Sequence, residues 1–183
     1  MPPITLRVAG PEDAEMLSRL GWETFLHTFV EGFGMRYPPE DLSAFYAASY
    51  APEPFARLLA DPACRGWIAE REGDAVGFAT VGPAGLPHPE LRNTHGELKR
   101  LYLREEAKGS GLAARLMDEA LGWLERDGPL TIWLGVWSGN HRAQRFYARY
   151  GFEKAGEYDY RVGASTDHEF IMRRAPPPAM LAR

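Results

Sequence analysis

The sequence has a single cysteine, Cys64, among its 183 residues. A lone cysteine forms no intramolecular disulfide, and it excludes a zinc site built from several cysteines. We therefore expect Cys64 to be a small, buried apolar side chain.

Long apolar runs are also missing. No window approaches the ~18 consecutive apolar residues of a membrane helix. The first ten residues, MPPITLRVAG, lack the basic start and apolar stretch of a secretion signal. These absences predict a cytoplasmic protein without a membrane partner.

The chain also lacks an excess of basic residues. It has 21 Lys and Arg against 25 Asp and Glu, which gives a formal net charge of -4. Proteins that bind nucleic acid normally present a basic face. This charge balance thus argues against a nucleic-acid partner and mildly favours cationic substrates.

Hydrophobic residues make up 45% of the chain, enough for one packed core. We predict one domain over residues 1–174 and a flexible, proline-rich tail over 175–183.

Apolar periodicity and turn residues predict the order of elements. A strand at 4–8 precedes helical segments at 11–29, 38–49 and 52–61. Strands at 66–70 and 75–81 are predicted to form a hairpin with a type I′-like turn or a short glycine loop. A loop at 83–93 leads to a strand at 95–103, a helix at 110–126, a strand at 130–137, a helix at 140–150, and strands at 157–162 and 168–173. Strands joined through single helices pair in parallel and hairpins pair antiparallel, which predicts a mixed sheet between helices.

A small-residue turn, Lys108-Gly109-Ser110-Gly111-Leu112-Ala113, separates the strand at 95–103 from the following helix. Glycines allow unusual dihedral angles and a close approach of the backbone to a ligand. The helix N-terminus adds free N–H groups and the positive end of its dipole. This stretch predicts a cradle for an anionic group.

A second motif begins at the next strand-to-helix junction, where Asn140 is positioned to cap a helix that ends at Gly151-Phe152. Ala143 and Tyr147 follow Asn140 within that helix. Asn140 and Tyr147 are seven residues apart, so they share one helix face.

Together these motifs resemble the GCN5-related N-acetyltransferase (GNAT) superfamily, over most of the chain from Gly10 to Arg173. The turn matches the family's (Gln/Arg)-x-x-Gly-x-(Gly/Ala) motif, except that Lys108 replaces the Gln or Arg and lacks a planar fork of donors. The second motif matches Asn-x-x-Ala-x-x-x-Tyr. The resemblance implies an α/β (mixed α+β) fold, with a central six- to seven-stranded sheet, splayed parallel strands and about four to five flanking helices.

The resemblance also implies acetyl-CoA (coenzyme A) as the cofactor. Its pantetheine arm would lie along the backbone of the 95–103 strand, where one amide would polarise the acetyl carbonyl. The pyrophosphate would lie on the glycine turn. The implied cofactor-binding residues are Leu101, Tyr102, Leu103, Lys108, Gly109, Ser110, Gly111, Leu112, Ala113, Ala114, Asn140, Ala143 and Tyr147.

Two catalytic candidates follow from the same resemblance. Tyr147 occupies the family's usual general-acid position, and a phenol suits donation to a thiolate leaving group; the alternative is a tyrosine that only packs helix on sheet. Glu97, eleven residues before Lys108, stands where several members carry a glutamate that takes the proton of the amine. The alternative for Glu97 is a strand glutamate paired with Lys99 or Arg173.

Aromatic residues are candidates for an acceptor slot, because aromatic faces favour cations. Trp137 ends a strand on which Trp133 is expected to be core, and His88 and His95 lack partners at metal-ligand spacing, so no metal is expected. The predicted walls of the slot are Phe25, Phe29, Trp137, Tyr158 and Tyr160, with Glu31, Asp41 or Asp159 attracting an amine.

The sequence therefore predicts an N-acetyltransferase in which a bound primary amine attacks acetyl-CoA directly. A narrower likeness, to bacterial spermidine/spermine acetyltransferases of the PaiA type, implies a polyamine acceptor. A protein N-terminus and an amine-bearing antibiotic are the alternatives among enzymes, and an acyl-CoA-binding sensor without turnover is the alternative outside them. Analogy with the superfamily also implies a homodimer.

Overall fold

The computed structural model of the protein describes residues 2–176, so the tail predicted at 175–183 lies outside the described residues from position 177 onward. Within the described part, seven strands form one sheet: β1 (Thr5–Val8), β2 (Arg65–Arg71), β3 (Asp74–Pro83), β4 (Gly96–Leu103), β5 (Ile132–Trp137), β6 (Glu153–Val162) and β7 (Ser165–Arg174). The α-helices there are α1 (Ala14–Phe25), α2 (Pro39–Phe45), α3 (Pro52–Ala60), α4 (Leu112–Leu124) and α5 (His141–Arg149). Among these helices, none has the length and apolar character needed to cross a membrane.

The strands are ordered β1-β2-β3-β4-β5-β7-β6 across the sheet. β4 and β5 run parallel, whereas the other neighbouring strands run antiparallel. This arrangement confirms the predicted mixed α/β architecture. The last strand of the chain, β7, inserts between β5 and β6, so its side chains lie beside those of β5.

β4 and β5 separate soon after they meet. Within residues 2–176 they share two register pairs, Gly96 with Ile132 and Glu97 with Trp133, although both strands continue further. The register between β3 and β4 slips just beyond these pairs, where Lys99 is an extra residue on β4. Such a bulge bends its strand and increases the local twist. The bulge therefore accompanies the divergence of β4 from β5, which leaves a gap in the middle of the sheet.

Two apolar layers cover the faces of the sheet. On one face α4 packs Leu116, Met117 and Ala120 against strand residues that include Ile132 and Leu134, all of them nearly inaccessible to solvent. On the opposite face, Leu17 of α1 and Phe55 of α3 pack against Ile68 and Phe78. We call the second layer the roof. Burial of these side chains, at about 1.5–3 kcal/mol each, supplies the main stabilising term of the fold.

Local turns largely follow the sequence. The β2–β3 hairpin turns at Glu72 and Gly73, with φ angles of 52° and 88°, and these left-handed angles confirm the type I′-like turn. α1 continues through wider, π-helical turns over Leu26–Gly32, so the helical segment runs past the predicted end at residue 29.

Cys64 is partly exposed, against the expectation of burial, because it lies in the loop between α3 and β2.

The last two strands are longer than predicted. β6 begins at Glu153 and β7 at Ser165, whereas the sequence analysis places these strands at 157–162 and 168–173. The start of β6 is not recognisable from the sequence, because the charged residues at this point and Gly156 have a low preference for strands. Pairing with β7 along the edge of the sheet overrides that preference, and a bulge at Lys154–Gly156 accommodates the glycine.

Candidate active site

A cleft of about 920 Å³ opens where β4 and β5 diverge. This volume is in the range of small-molecule sites. Its walls come from β4, the glycine turn before α4, the end of β5, α5 and the π-helical segment after α1. The cleft brings together most of the sequence-predicted residues, namely Phe29, Leu101, Tyr102, Leu103, Lys108, Gly109, Gly111, Ala113, Ala114, Trp137, Asn140, Ala143 and Tyr147.

The open edge of β4 faces the cleft through its backbone. The N–H of Arg104 donates to Val76 O on β3 at 2.9 Å. Because peptide groups alternate in direction along a strand, Leu101 and Leu103 direct their N–H and C=O groups the other way, toward the gap. Both residues line the cleft. An extended ligand could therefore pair with this edge as an additional strand would.

The turn between β4 and α4 has the conformation of an anion cradle. Gly109 and Gly111 have φ angles of 78° and 81°, and a Cβ at either position would meet no atom within 4 Å. Glycine is therefore required at both positions because of the left-handed backbone conformation, and not because a side chain would lack room. The N–H groups of residues 109–111 have no backbone acceptor among residues 2–176. Successive free amides at a helix start form a concavity that favours anions.

Two residues of the predicted cradle lie differently from the rest. The hydroxyl of Ser110 donates to Ala107 O at 2.6 Å, which fixes the turn. The side chain of Leu112 is buried in the core at 1% exposure. Neither residue is part of the cleft wall, so only their backbone amides remain candidates for binding.

Cationic side chains also line the cleft. Lys108 binds Glu105, with Nζ 2.5 Å from Oε2, so its ammonium group is already paired. Arg142, Arg145 and Arg149 of α5 line the cleft as well. The sequence analysis missed these arginines, although their spacing of three and four residues places them on one helix face.

Asn140 and Tyr147 occupy the two ends of α5. The side-chain oxygen of Asn140 accepts the N–H of Ala143 at 3.1 Å and so caps the helix. Tyr147 packs against Phe146 and Phe152 and contributes to the cleft wall. Burial raises the pKa of the Tyr147 phenol to about 12, and the negative charge of Glu169 adds to this rise. The group stays protonated near neutral pH and is able to donate a proton.

Glu97 directly precedes two residues of β4 that line the cleft, Leu98 and Lys99. It is 9% exposed, and its Oε2 accepts the N–H of Gly85 at 2.7 Å. Lys99 Nζ lies 3.4 Å from the same oxygen, the pairing given above as the structural alternative. These contacts hold the loop that precedes β4 against the sheet. The carboxylate is not part of the cleft wall.

Trp133 and the two histidines form a structural cluster behind Glu97. Trp133 is fully buried, as predicted, and its Nε1 donates to Nδ1 of His95 at 2.9 Å. His88 packs on the same indole, with 4.8 Å between ring centroids. Burial and two nearby arginines lower the pKa of His95, so this ring is neutral near pH 7.

Part of the cleft wall is aromatic. Trp137 contacts Phe33 at 4.7 Å between ring centroids, and Phe33 contacts Phe29 at 6.0 Å. We call the part lined by Phe29, Phe33, Trp137 and Glu169 the aromatic end. Phe33 escaped the sequence analysis because it follows the predicted helix, although it continues the spacing of four residues set by Phe25 and Phe29.

Three predicted slot residues lie outside the cleft wall. Phe25 is 4% exposed and is packed among roof aromatics, so it belongs to the core and does not form a wall of the slot. Tyr160 also faces the roof, where it meets Phe45 edge-on. Tyr158 lies behind the wall and donates to Glu169 Oε2 at 2.8 Å.

None of the three acidic residues expected to attract an amine lines the cleft. Asp41 accepts the N–H groups of Ala164 and Ser165 and the hydroxyl of Ser165, so it fastens α2 to the β6–β7 hairpin. Glu31 pairs with a neighbouring histidine, and Asp159 is exposed. The carboxylate at the aromatic end is Glu169, which the sequence analysis missed because nothing local marks β7 as a neighbour of β5.

Comparisons with known proteins agree with this geometry. The model of the acetyltransferase (GNAT) family matches residues 22–152. An uncharacterized N-acetyltransferase of Mycobacterium tuberculosis (strain H37Rv) is 37% identical over 136 residues, which cover 74% of this chain and 83% of the relative.

Two further similarities are more limited. The spermine/spermidine N(1)-acetyltransferase of Bacillus subtilis (strain 168) is 34% identical over 92 residues, 49% of this chain and 59% of that protein. Among solved structures, the PaiA N-acetyltransferase of Thermoplasma acidophilum, in complex with coenzyme A, superposes with a TM-score of 0.71 at 22% identity over 94% of this chain and 99% of its own.

Proposed function

Because this chain belongs to the acetyltransferase (GNAT) family, we propose that it acetylates the primary amine of a small cationic acceptor, with polyamines such as spermidine and spermine as the expected class. Transfer of an acetyl group from acetyl-CoA follows from membership in the family. The acceptor and the residue roles given below are the proposal.

The cleft fits acetyl-CoA. Gly109 and Gly111, with φ angles near 80°, belong to a turn whose N–H groups have no backbone acceptor in the described residues, and the arginines of α5 line the same cleft. We assign the phosphates to the glycine turn. The edge of β4 at Leu101 and Leu103 is assigned to the pantetheine arm, because its peptide groups lack a strand partner. When bound, acetyl-CoA supplies the acetyl thioester and leaves as a thiol.

The single observation that carries the proposal is the position of Tyr147. Its phenol lines the same cleft as the β4 edge and the glycine turn, and its raised pKa keeps the proton in place near neutral pH. We assign Tyr147 Oη to proton donation to the sulfur of the leaving thiolate, worth roughly 10²–10⁴-fold in rate for a general acid.

Support for a cationic acceptor comes from the aromatic end of the cleft. Trp137, Phe29 and Phe33 offer aromatic faces, which attract ammonium groups, and Glu169 places a carboxylate beside them. The similarity to a spermine/spermidine acetyltransferase points to the same chemistry. This pairing of aromatic and acidic groups suits a small amine with further positive charges.

A panel of amines tests the acceptor. Release of CoA is measured at fixed acetyl-CoA with spermidine, spermine, a diamine, a peptide with a free N-terminus and an aminoglycoside. Spermidine or spermine is expected to give the highest kcat/KM. If the peptide or the aminoglycoside gives the highest turnover, the proposal of a polyamine acceptor is wrong, whereas the acetyltransferase activity is confirmed. If the protein binds acetyl-CoA tightly and no amine stimulates the release of CoA, the protein is an acyl-CoA-binding sensor without turnover.

A further inference from the structure

Two carboxylates line the cleft among the residues that the structure describes, Glu105 and Glu169. Glu105 lies at the glycine-turn end, where it contacts Lys108 and, at 3.5 Å, His27. Glu169 lies at the aromatic end, directly across from Trp137 in the β5–β7 register. The carboxylate nearest the expected acceptor is therefore Glu169.

The neighbouring strands fix the position of Glu169. Its Oε2 accepts a 2.8 Å hydrogen bond from the hydroxyl of Tyr158 on β6. A Cβ at Gly135 on β5 would lie 3.0 Å from Glu169 Oε2 and 2.8 Å from Tyr158 Oη, so glycine makes room for this pair. The second carboxylate oxygen of Glu169 has no hydrogen bond within residues 2–176. That oxygen remains available to a ligand in the cleft.

No cation in the described chain forms an ion pair with Glu169. Burial raises its pKa to about 7, the hydrogen bond from Tyr158 opposes this rise, and Asp167 on the same strand adds to it. The other titratable groups that sense its charge are Tyr37 before α2, Tyr147 on α5 and Tyr160 on β6. These phenols are neutral near pH 7. The carboxylate thus has the proton affinity of a base that works near neutrality.

Resting on the proposed function, we propose that Glu169 is the residue that takes the proton from the acceptor's ammonium group. Glu97, the candidate from the sequence, contacts Gly85 and Lys99 and does not line the cleft. Glu169 and Tyr147 line one cleft and carry the opposite tasks of proton acceptor and proton donor. Two titratable groups whose environments set different proton affinities are the usual arrangement of acid–base catalysis.

The protons balance in this assignment. An N–H bond of the ammonium group breaks, an O–H bond forms on Glu169, and the freed lone pair of nitrogen makes the new bond to the acyl carbon. The bond between the acyl carbon and sulfur breaks, and the departing sulfur receives the proton of Tyr147 Oη. The nitrogen then loses a second proton, which restores Tyr147, and Glu169 releases its proton to solvent. Overall the ammonium form of the acceptor yields amide, thiol and one proton.

The pH dependence of kcat/KM tests the assignment, with the best amine of the panel. In the wild type, kcat/KM should rise through an inflection near pH 7, well below the ionisation of the free amine near pH 10. Glu169→Gln should lower kcat/KM by about 100-fold or more and remove the inflection. Glu157→Gln is the matched control, because Glu157 lies on β6 with its carboxylate bound to His168 on the exposed face. It should leave the profile unchanged.

Glu97→Gln and a binding measurement complete the design. An inflection that survives in Glu169→Gln, or that disappears in Glu97→Gln, would overturn the assignment of Glu169 alone. Absence of amine-dependent CoA release from the wild type would overturn the proposed function itself. Independently of turnover, proton titration of the cofactor-free protein should show one group near pH 7 that Glu169→Gln lacks, and its presence in the variant would contradict the inference.

Discussion

Trp137 on β5 and Glu169 on β7 are direct cross-strand partners. Side chains at directly opposed positions lie about 5 Å apart at Cβ on the same face of the sheet. An indole and a carboxylate thus lie side by side at the aromatic end of the cleft, although 31 residues lie between them in the sequence. This pair combines the two groups that recognise an alkylammonium ion, an aromatic face and a negative charge.

Tyr147→Phe tests the proton donor. The substitution keeps the ring that packs on Phe152 and removes the hydroxyl, so kcat should fall by roughly 10²–10⁴-fold, while the Kd of acetyl-CoA changes little. Steady-state kinetics and calorimetric titration measure the two effects. Tyr150→Phe is the control, because Tyr150 is not part of the cleft wall and its hydroxyl contacts Ala114 O and Asp118. Undiminished turnover in Tyr147→Phe would remove the residue from the acid role.

Glu169→Gln should change how stability depends on pH. The pKa of Glu169 is raised from 4.5 to about 7, so the folded protein holds this proton more tightly than the unfolded chain. The resulting stabilisation is complete below pH ~4.5 and is lost as pH rises toward ~7. Relative to wild type, the variant should therefore gain as much as about 3 kcal/mol in unfolding free energy across this window.

Urea unfolding of the cofactor-free proteins at about pH 5 and about pH 8 measures this difference. A difference between Glu169→Gln and wild type that is the same at both pH values would contradict the raised pKa of Glu169.

Lys108→Ala should weaken acetyl-CoA binding by less than about tenfold. The ammonium group is already paired with Glu105, and the backbone amides of the turn remain in the variant. Calorimetry gives the change in Kd, with Arg161→Ala on the exposed part of β6 as a control for net charge. A loss beyond ~3 kcal/mol, above the usual worth of one charged hydrogen bond, would show that the lysine side chain binds the cofactor directly.

Two glycines near α4 should respond oppositely to alanine. Gly111 has a φ of 81°, and a left-handed conformation costs a residue with a Cβ roughly 1–2 kcal/mol, so Gly111→Ala should destabilise the protein and weaken acetyl-CoA binding. Gly122 lies inside α4 with no atom within 4 Å of an added Cβ. Gly122→Ala should stabilise by about 0.5–1 kcal/mol without affecting binding. Chemical unfolding and calorimetry compare the two; equal effects would contradict the cradle.

The order of strands and helices, the glycine turn and the helix capped by Asn140 follow from the sequence. Each depends on residues close together in the chain: a left-handed φ angle requires glycine, a cap requires a short polar side chain, and helical spacing places Asn140 and Tyr147 on one face. The family resemblance depends on the same local patterns. These features could therefore be predicted before the fold was known.

Tertiary structure alone decided which side chains meet. The bulge at Lys99 and the short contact between β4 and β5 create the cleft, and neither leaves a local signal. Glu97 stood at the expected spacing yet is held by Gly85, whereas Glu169 reaches the cleft because β7 lies beside β5. Spacing along a strand fixes the face that a side chain occupies. Which strands are neighbours depends on packing of the whole sheet, and that packing brought Glu169 to Trp137.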